Sequence, residues 1–175
     1  MLGSDTDVPA VGALLGQRSL AMAVIGNALH WMSPDDLFPV LRPLFRTGGG
    51  VAVVANGNPL WLQDTKWSRA LRACLERHYG RELEATCGTG AEDRHRYAQA
   101  LRAAGFEDVR EIVIEYRDEL SLDQIIGGVF SAMAVDELPG PDHRAAFAQR
   151  VRQALGPHTS FVEDIRVSIL AGQSE

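Results

Sequence analysis

Hydrophobic positions along the chain change their spacing several times, and each change marks an element. Residues 20–26, Leu-Ala-Met-Ala-Val-Ile-Gly, form a nearly unbroken apolar run, the pattern of a strand buried on both faces. Helical spacing follows over 33–44, where Leu37, Val40, Leu41 and Leu44 make one apolar stripe. Ser33 at the N-cap, Pro34 at the first helical position and the acids Asp35 and Asp36 agree on where that helix starts. Pro39 and Pro43 each remove a backbone donor, which predicts a bend or short 3-10 pieces. Gly48-Gly49-Gly50 reads as the break ending the helix, and residues 51–55 as a second apolar strand. A strand, helix and strand of this length make a right-handed crossover between parallel neighbours.

The remaining pattern continues the α/β alternation. Residues 8–15 read as a short helix with Asp7 as N-cap, and 65–79 as a longer one with Trp67, Ala70, Leu71, Cys74, Leu75 and Tyr79 on its apolar stripe. A further helix covers 91–104 and stops at Gly105, placed as a C′ glycine. Alternation over 109–116 predicts a strand. Two helices, 122–133 and 142–155, flank the Pro139-Gly140-Pro141 break, and 164–170 closes as a last strand.

A length of 175 residues fits one domain, 1–175, able to bury a substantial core. The net charge of −6 gives no general attraction to nucleic acid or to anionic membranes. Arg69, Arg72, Arg77 and Arg81 are interleaved with acids and read as a solvated helix face. No apolar stretch approaches the ~20 residues of a membrane span. Cys74 and Cys87 have no metal-binding spacing with each other or with the histidines, so no metal site is expected. The acidic, polar start Met-Leu-Gly-Ser-Asp is unlike a secretory leader, and a cytoplasmic protein is expected.

The wording of residues 20–57 carries a resemblance. Ala-Leu-His-Trp at 28–31 after the first strand, and Leu-Phe-Arg-Thr-Gly-Gly-Gly at 44–50 before the second, resemble the middle of class I S-adenosylmethionine-dependent methyltransferases of the type 11-like group. The resemblance makes these strands the fourth and fifth of that fold. It implies a partial Rossmann-like architecture, strands four to seven with flanking helices, and an antiparallel last strand between the fifth and sixth. It also implies a helical cap-like insertion at about 120–156. The glycine loop that follows the family's first strand has no counterpart, so the chain reads as the C-terminal portion of such a domain, either a fragment with Met1 in the third strand or a genuine stand-alone half. The function implied is methyl transfer from S-adenosylmethionine to a small-molecule acceptor, with weak or no cofactor binding by this chain alone. The alternative is a non-enzymatic binding or scaffold module keeping part of the fold. The missing half would leave an open strand edge, so self-association or a complementary N-terminal partner is expected.

Site residues follow from position. Asn27, His30 and Trp31 stand at the carboxyl end of a parallel strand, where open α/β sheets bind ligands. By the resemblance, Asn27 and His30 border the cofactor, Trp31 walls the pocket, and Asp5 faces the adenine. His30 is also the candidate general base. Trp61, Tyr116 and Phe130 fall where the family builds its acceptor pocket. The segment Cys87-Gly88-Thr89-Gly90 spells a cofactor-loop motif, but no apolar strand delivers it, and Thr89 with Glu92 accounts for it as a helix capping box.

Overall fold

The computed structural model describes residues 4–83 and 88–175. Its contacts group the chain into two compact units. The first comprises Met1–Gly57, Gly88–Ile114 and Arg166–Glu175, the second Asn58–Cys87 and Glu115–Ile165. The helical stretch 120–156 lies within the second.

The architecture is mixed α/β around a four-stranded sheet. In chain order the strands are β1 (Leu20–Gly26), β2 (Phe45–Asn56), β3 (Glu107–Glu119) and β4 (Val162–Gln173), and they lie side by side as β1-β2-β4-β3. β1 and β2 are parallel, with Ala23 opposite Val51 and Ile25 opposite Val53. β4 runs antiparallel to β2, with Gly50 opposite Gln173 and Asn56 opposite Val167. The crossover and the antiparallel insertion are both as the sequence and its resemblance led us to expect.

The glycines at 48–50 correct the reading of that segment. They do not break the chain after a helix but belong to β2, which begins at Phe45. The helix α2 (Pro34–Leu41) has already passed into a 3-10 turn over Arg42–Leu44, with Pro43 in the turn and Pro39 tolerated inside the helix. The sheet needs glycine here for steric reasons. A Cβ on Gly49 would lie 2.8 Å from the Ala21 carbonyl oxygen, and one on Gly50 only 2.2 Å from that of Gly172. The pairing of β1 with β2 is irregular at the same level, between Leu20 and Met22.

Three further expectations change. β1 is not buried on both faces: Ile25 is in the core, while Met22 and Val24 are 63 % exposed. Its neighbours among the described residues lie on one side only, so one face and one edge are left open. On α2 the buried stripe is Leu37, Phe38 and Leu41, with Val40 turned outward. Asp7 holds the N-cap position of α1 (Val8–Leu15) but its side chain makes no capping bond to that helix; a 3-10 turn over Asp5–Asp7 precedes it, and the Asp7 carboxylate accepts from the Ser4 amide at 2.7 Å.

In the first unit, α2, α4 (Ala91–Ala103) and the sheet share one core. Ile25, Leu37, Phe38, Phe45, Val51, Leu101, Phe106 and Leu170 belong to it, and Phe106 meets Phe38 and Phe45 edge-on. The second unit has a core of its own between α3 (Lys66–Tyr79), α5 (Leu122–Ala132) and α6 (Arg144–Leu155). Leu71, Leu75, Ile125, Val129, Phe147 and Val151 fill it, and Trp67 stacks edge-on with Phe161 while its indole N–H donates to the Val162 carbonyl. Trp67 is thus a core residue, as its helical spacing implied.

Candidate functional site

The carboxyl end of β1 carries the most site-like geometry of the first unit. Asn27 leaves the strand with φ at 44°, the left-handed region that a short polar side chain tolerates better than most. Its amide donates to the Val54 carbonyl at 2.9 Å, and its side-chain oxygen accepts from the Asn56 amide at 2.8 Å. One residue therefore stitches the ends of the two parallel strands together. Asn27 itself is exposed.

The sharp turn at Asn27 sends the chain into a 3-10 turn over Leu29–Trp31. Leu29 anchors it in the core, which fixes the two residues that follow. The His30 and Trp31 rings lie 4.7 Å apart at 45°. Trp31 is 66 % exposed. His30 is half-buried, and that burial lowers its pKa below the ordinary value of 6.5, with the nearby Asp93 pulling the other way. The shift favours the neutral imidazole, which can accept a proton.

A histidine whose folded pKa is depressed binds fewer protons than it does in the unfolded chain. Its contribution to stability is full above about 6.5 and is lost as the pH falls through the lower folded value. His78, lowered by burial in the second unit, acts in the same direction. We expect the His30 imidazole proton signals to titrate with a midpoint below 6.5, and thermal stability to fall as the pH drops below about 6.5. A His30 midpoint above 6.5 would mean that Asp93 outweighs burial.

Helix α4 supplies residues that the sequence did not single out. Tyr97 is 3 % exposed, and Asp93 stands one turn before it, facing His30 closely enough to influence its charge. The spacing of Asp93 and Tyr97 was visible in the chain, but nothing in the chain said that His30 would meet that face. Gly88, with φ at 73°, lies against both: a Cβ there would fall 2.6 Å from Tyr97 Oη and 2.8 Å from His30 Cβ. Arg94 continues the framework, donating to the Thr89 carbonyl and pairing with Glu111 at 3.0 Å, while Glu111 accepts from the Ser168 hydroxyl at 2.5 Å.

The N-cap of α4 is not the one the sequence suggested. Gly90 takes the N-cap position of α4 without a side-chain bond, and Thr89 is buried. Cys87 lies outside the described residues, so the four-residue motif is seen only from Gly88 onward.

The other sequence-derived positions fall as follows. Asp5 is in the 3-10 turn before α1, half-buried, with its carboxylate 3.4 Å from the Ser4 hydroxyl. Trp61 is 3 % exposed inside the core of the second unit. Phe130 packs edge-on against Phe147 at 5.5 Å, and Tyr116 is 48 % exposed on β3. Among the described residues no three or more His, Cys, Asp or Glu side chains are grouped to hold a metal ion, and no helix is long and apolar enough to cross a membrane.

No family model matches the chain, and no curated protein matches it. Solved methyltransferase structures do resemble it. A candidate type II methyltransferase from Anaeromyxobacter dehalogenans is 24 % identical over 94 % of this chain and 68 % of its own, with a TM-score of 0.41. A candidate sarcosine dimethylglycine methyltransferase from Galdieria sulphuraria is 9 % identical over 99 % of this chain and 58 % of its own, TM-score 0.42. Geranyl diphosphate C-methyltransferase from Streptomyces coelicolor A3(2), solved with geranyl diphosphate and S-adenosyl-L-homocysteine, is 12 % identical over 92 % of this chain and 48 % of its own, TM-score 0.36. The chain spans about half the length of the geranyl diphosphate methyltransferases it matches. At these identities and scores the likeness says nothing about individual residues or substrates.

Proposed function

We propose that this polypeptide serves methyl transfer from S-adenosylmethionine to a small-molecule acceptor, contributing the C-terminal portion of a class I-type domain. The observation that carries the reading is the strand arrangement. A parallel pair joined by a helix, with the last strand inserted antiparallel between the second and third, is what the sequence resemblance demanded, and it leaves Asn27, His30 and Trp31 on the carboxyl-end rim.

Methyl transfer is chiefly a matter of holding the acceptor in line with the sulfonium methyl in a water-poor cleft. S-adenosylmethionine supplies the electrophilic methyl group. In this reading Asp5, Asn27 and His30 line the cofactor side and Trp31 forms a pocket wall. Neutral His30 can take a proton from the acceptor. Among the described residues, no glycine-rich loop joins a strand to a helix N-terminus, so the contacts offered here are only part of a cofactor site. The open edge of β1 fits a second polypeptide strand, from another copy or from a complementary N-terminal segment.

Calorimetric titration of the 175-residue polypeptide with S-adenosylmethionine tests the reading. We expect a dissociation constant between about 0.1 and 5 mM, the affinity of a partial site. Low micromolar binding would overturn the assignment of partial contacts and direct attention to 87–90, and no binding at several millimolar would remove the rim as a cofactor surface.

A further inference from the structure

Within the second unit, two contacts define the seam between α3 and α6. The Cys74 thiol lies 3.9 Å from the Arg150 carbonyl oxygen, and the His78 ring packs on Phe147 with centroids 4.7 Å apart. Residue numbers rise along α3 as they fall along α6, so the helices are antiparallel and Cys74 and Arg150 share one flank of the seam. Arg77 follows Cys74 by three residues and stands on the same flank. Both arginines are exposed, and neither has a hydrogen-bond or ion-pair partner among the described residues. The other arginines of the two helices are engaged: Arg69 with Asp64, Arg72 with Glu76, Arg152 with Asp123, and Arg144 with the Pro139 carbonyl. The sequence accounts for the difference. Glu76 stands four residues after Arg72, whereas no acid lies three or four residues from Arg77 or Arg150 in either direction. Arg77 thus departs from the acid-balanced face to which its neighbours in sequence belong.

We propose that Arg77 and Arg150, with the His78 imidazole one turn beyond Cys74, form a site for a phosphate group, free or as the monoester of a small molecule, on the outer flank of the α3–α6 seam. The site does not depend on the methyl-transfer reading. Two guanidiniums without acid partners are a local excess of positive charge in a protein whose net charge is −6, and their forked donors match the oxygens of a phosphate. Their field reaches into the seam. Burial raises the pKa of the Cys74 thiol, and Arg77 and Arg150 both pull it the other way. Burial, and then Arg150, hold His78 below its ordinary value of 6.5. None of the charges bearing on these two groups is a carboxylate. A dianion seated between the guanidiniums offsets their field and lets His78 take up a proton as a further donor. A carboxylate, with one negative charge, leaves part of the positive charge unmatched.

The experiment titrates the full chain with inorganic phosphate and with methyl phosphate at constant ionic strength, following the His78 ring and arginine side-chain signals by NMR. Acetate is the monoanionic comparison. We expect at least one phosphate probe to shift the His78, Arg77 and Arg150 signals saturably, with half-saturation at about 1 mM. The tighter of the two tells whether the site takes free phosphate or a monoester. The titration midpoint of His78 should rise when the site is filled. Arg77→Gln and Arg150→Gln should each weaken binding about tenfold or more, the worth of a charge-assisted hydrogen bond. Arg69→Gln, whose arginine is held by Asp64, should bind as the parent protein does. Without phosphate, Arg150→Gln should raise the His78 midpoint, because a neighbouring positive charge is removed. The proposal is overturned if neither phosphate probe moves these signals saturably up to about 20 mM, if acetate binds as tightly, or if either arginine variant binds like the parent. An unchanged His78 midpoint, on phosphate binding or in phosphate-free Arg150→Gln, would also overturn it by placing the charges away from that ring.

Discussion

Replacing Gly50 with alanine is expected to destabilise the sheet by about 4 kcal/mol or more, placing it among the severe single substitutions. The added Cβ would sit 2.2 Å from the Gly172 carbonyl oxygen and 3.1 Å from Gln173 Cα. Both are backbone atoms of β4 in register with β2, so neither can retreat without breaking the ladder that joins the parallel pair to the rest of the sheet. Total stabilities of domains this size run to about 5–15 kcal/mol, so the variant should unfold at a much lower urea concentration or fail to fold. Gly26→Ala is the matched control. Nothing lies within 4 Å of its Cβ, and it should be close to neutral. If Gly50→Ala unfolds at the urea midpoint of the parent protein, β2 and β4 do not approach as described.

Val24→Lys is expected to change the association state rather than the fold. Met22 and Val24 are each 63 % exposed on a strand whose outer edge has no partner among the described residues. The strand carries no charge from Leu20 to Gly26, and uncharged apolar edges of this kind recruit other strands. The parent polypeptide should therefore elute as a species larger than one chain, and the lysine variant should shift towards monomer with similar thermal stability. Light scattering coupled to size exclusion reads both. A parent protein that is already a monodisperse monomer would show that the edge of β1 is protected and would remove the case for strand addition there.

Much of this fold was legible before its structure, because periodicity reports which side of an element meets apolar neighbours. The ends of α1, α3 and β1 came within a residue of their observed places for that reason. Glycine was harder to interpret. Three in a row at 48–50 suggest a break when only local conformational freedom is considered, whereas close approach of Ala21 and Gly172 is a property of strands distant in sequence. The exposure of Met22 and Val24 was hidden for a similar reason: an apolar run tells of a strand, but not whether both faces are covered. The carboxyl-end rule singled out Asn27, His30 and Trp31 as candidates, and the structure sets them in the turn that follows β1. Asp93 escaped notice because it acts on His30 from a helix more than sixty residues further along the chain.

The most direct test of the central reading is to map where S-adenosyl-L-homocysteine touches the isotopically labelled chain by NMR, at ligand concentrations up to about 5 mM, the range expected for a partial site. The account predicts saturable shifts concentrated on Asn27, His30 and Trp31, reduced in His30→Ala. Shifts confined to other surfaces, or none at these three residues, would contradict the assignment of a methyltransferase cofactor rim and leave a binding module without that chemistry.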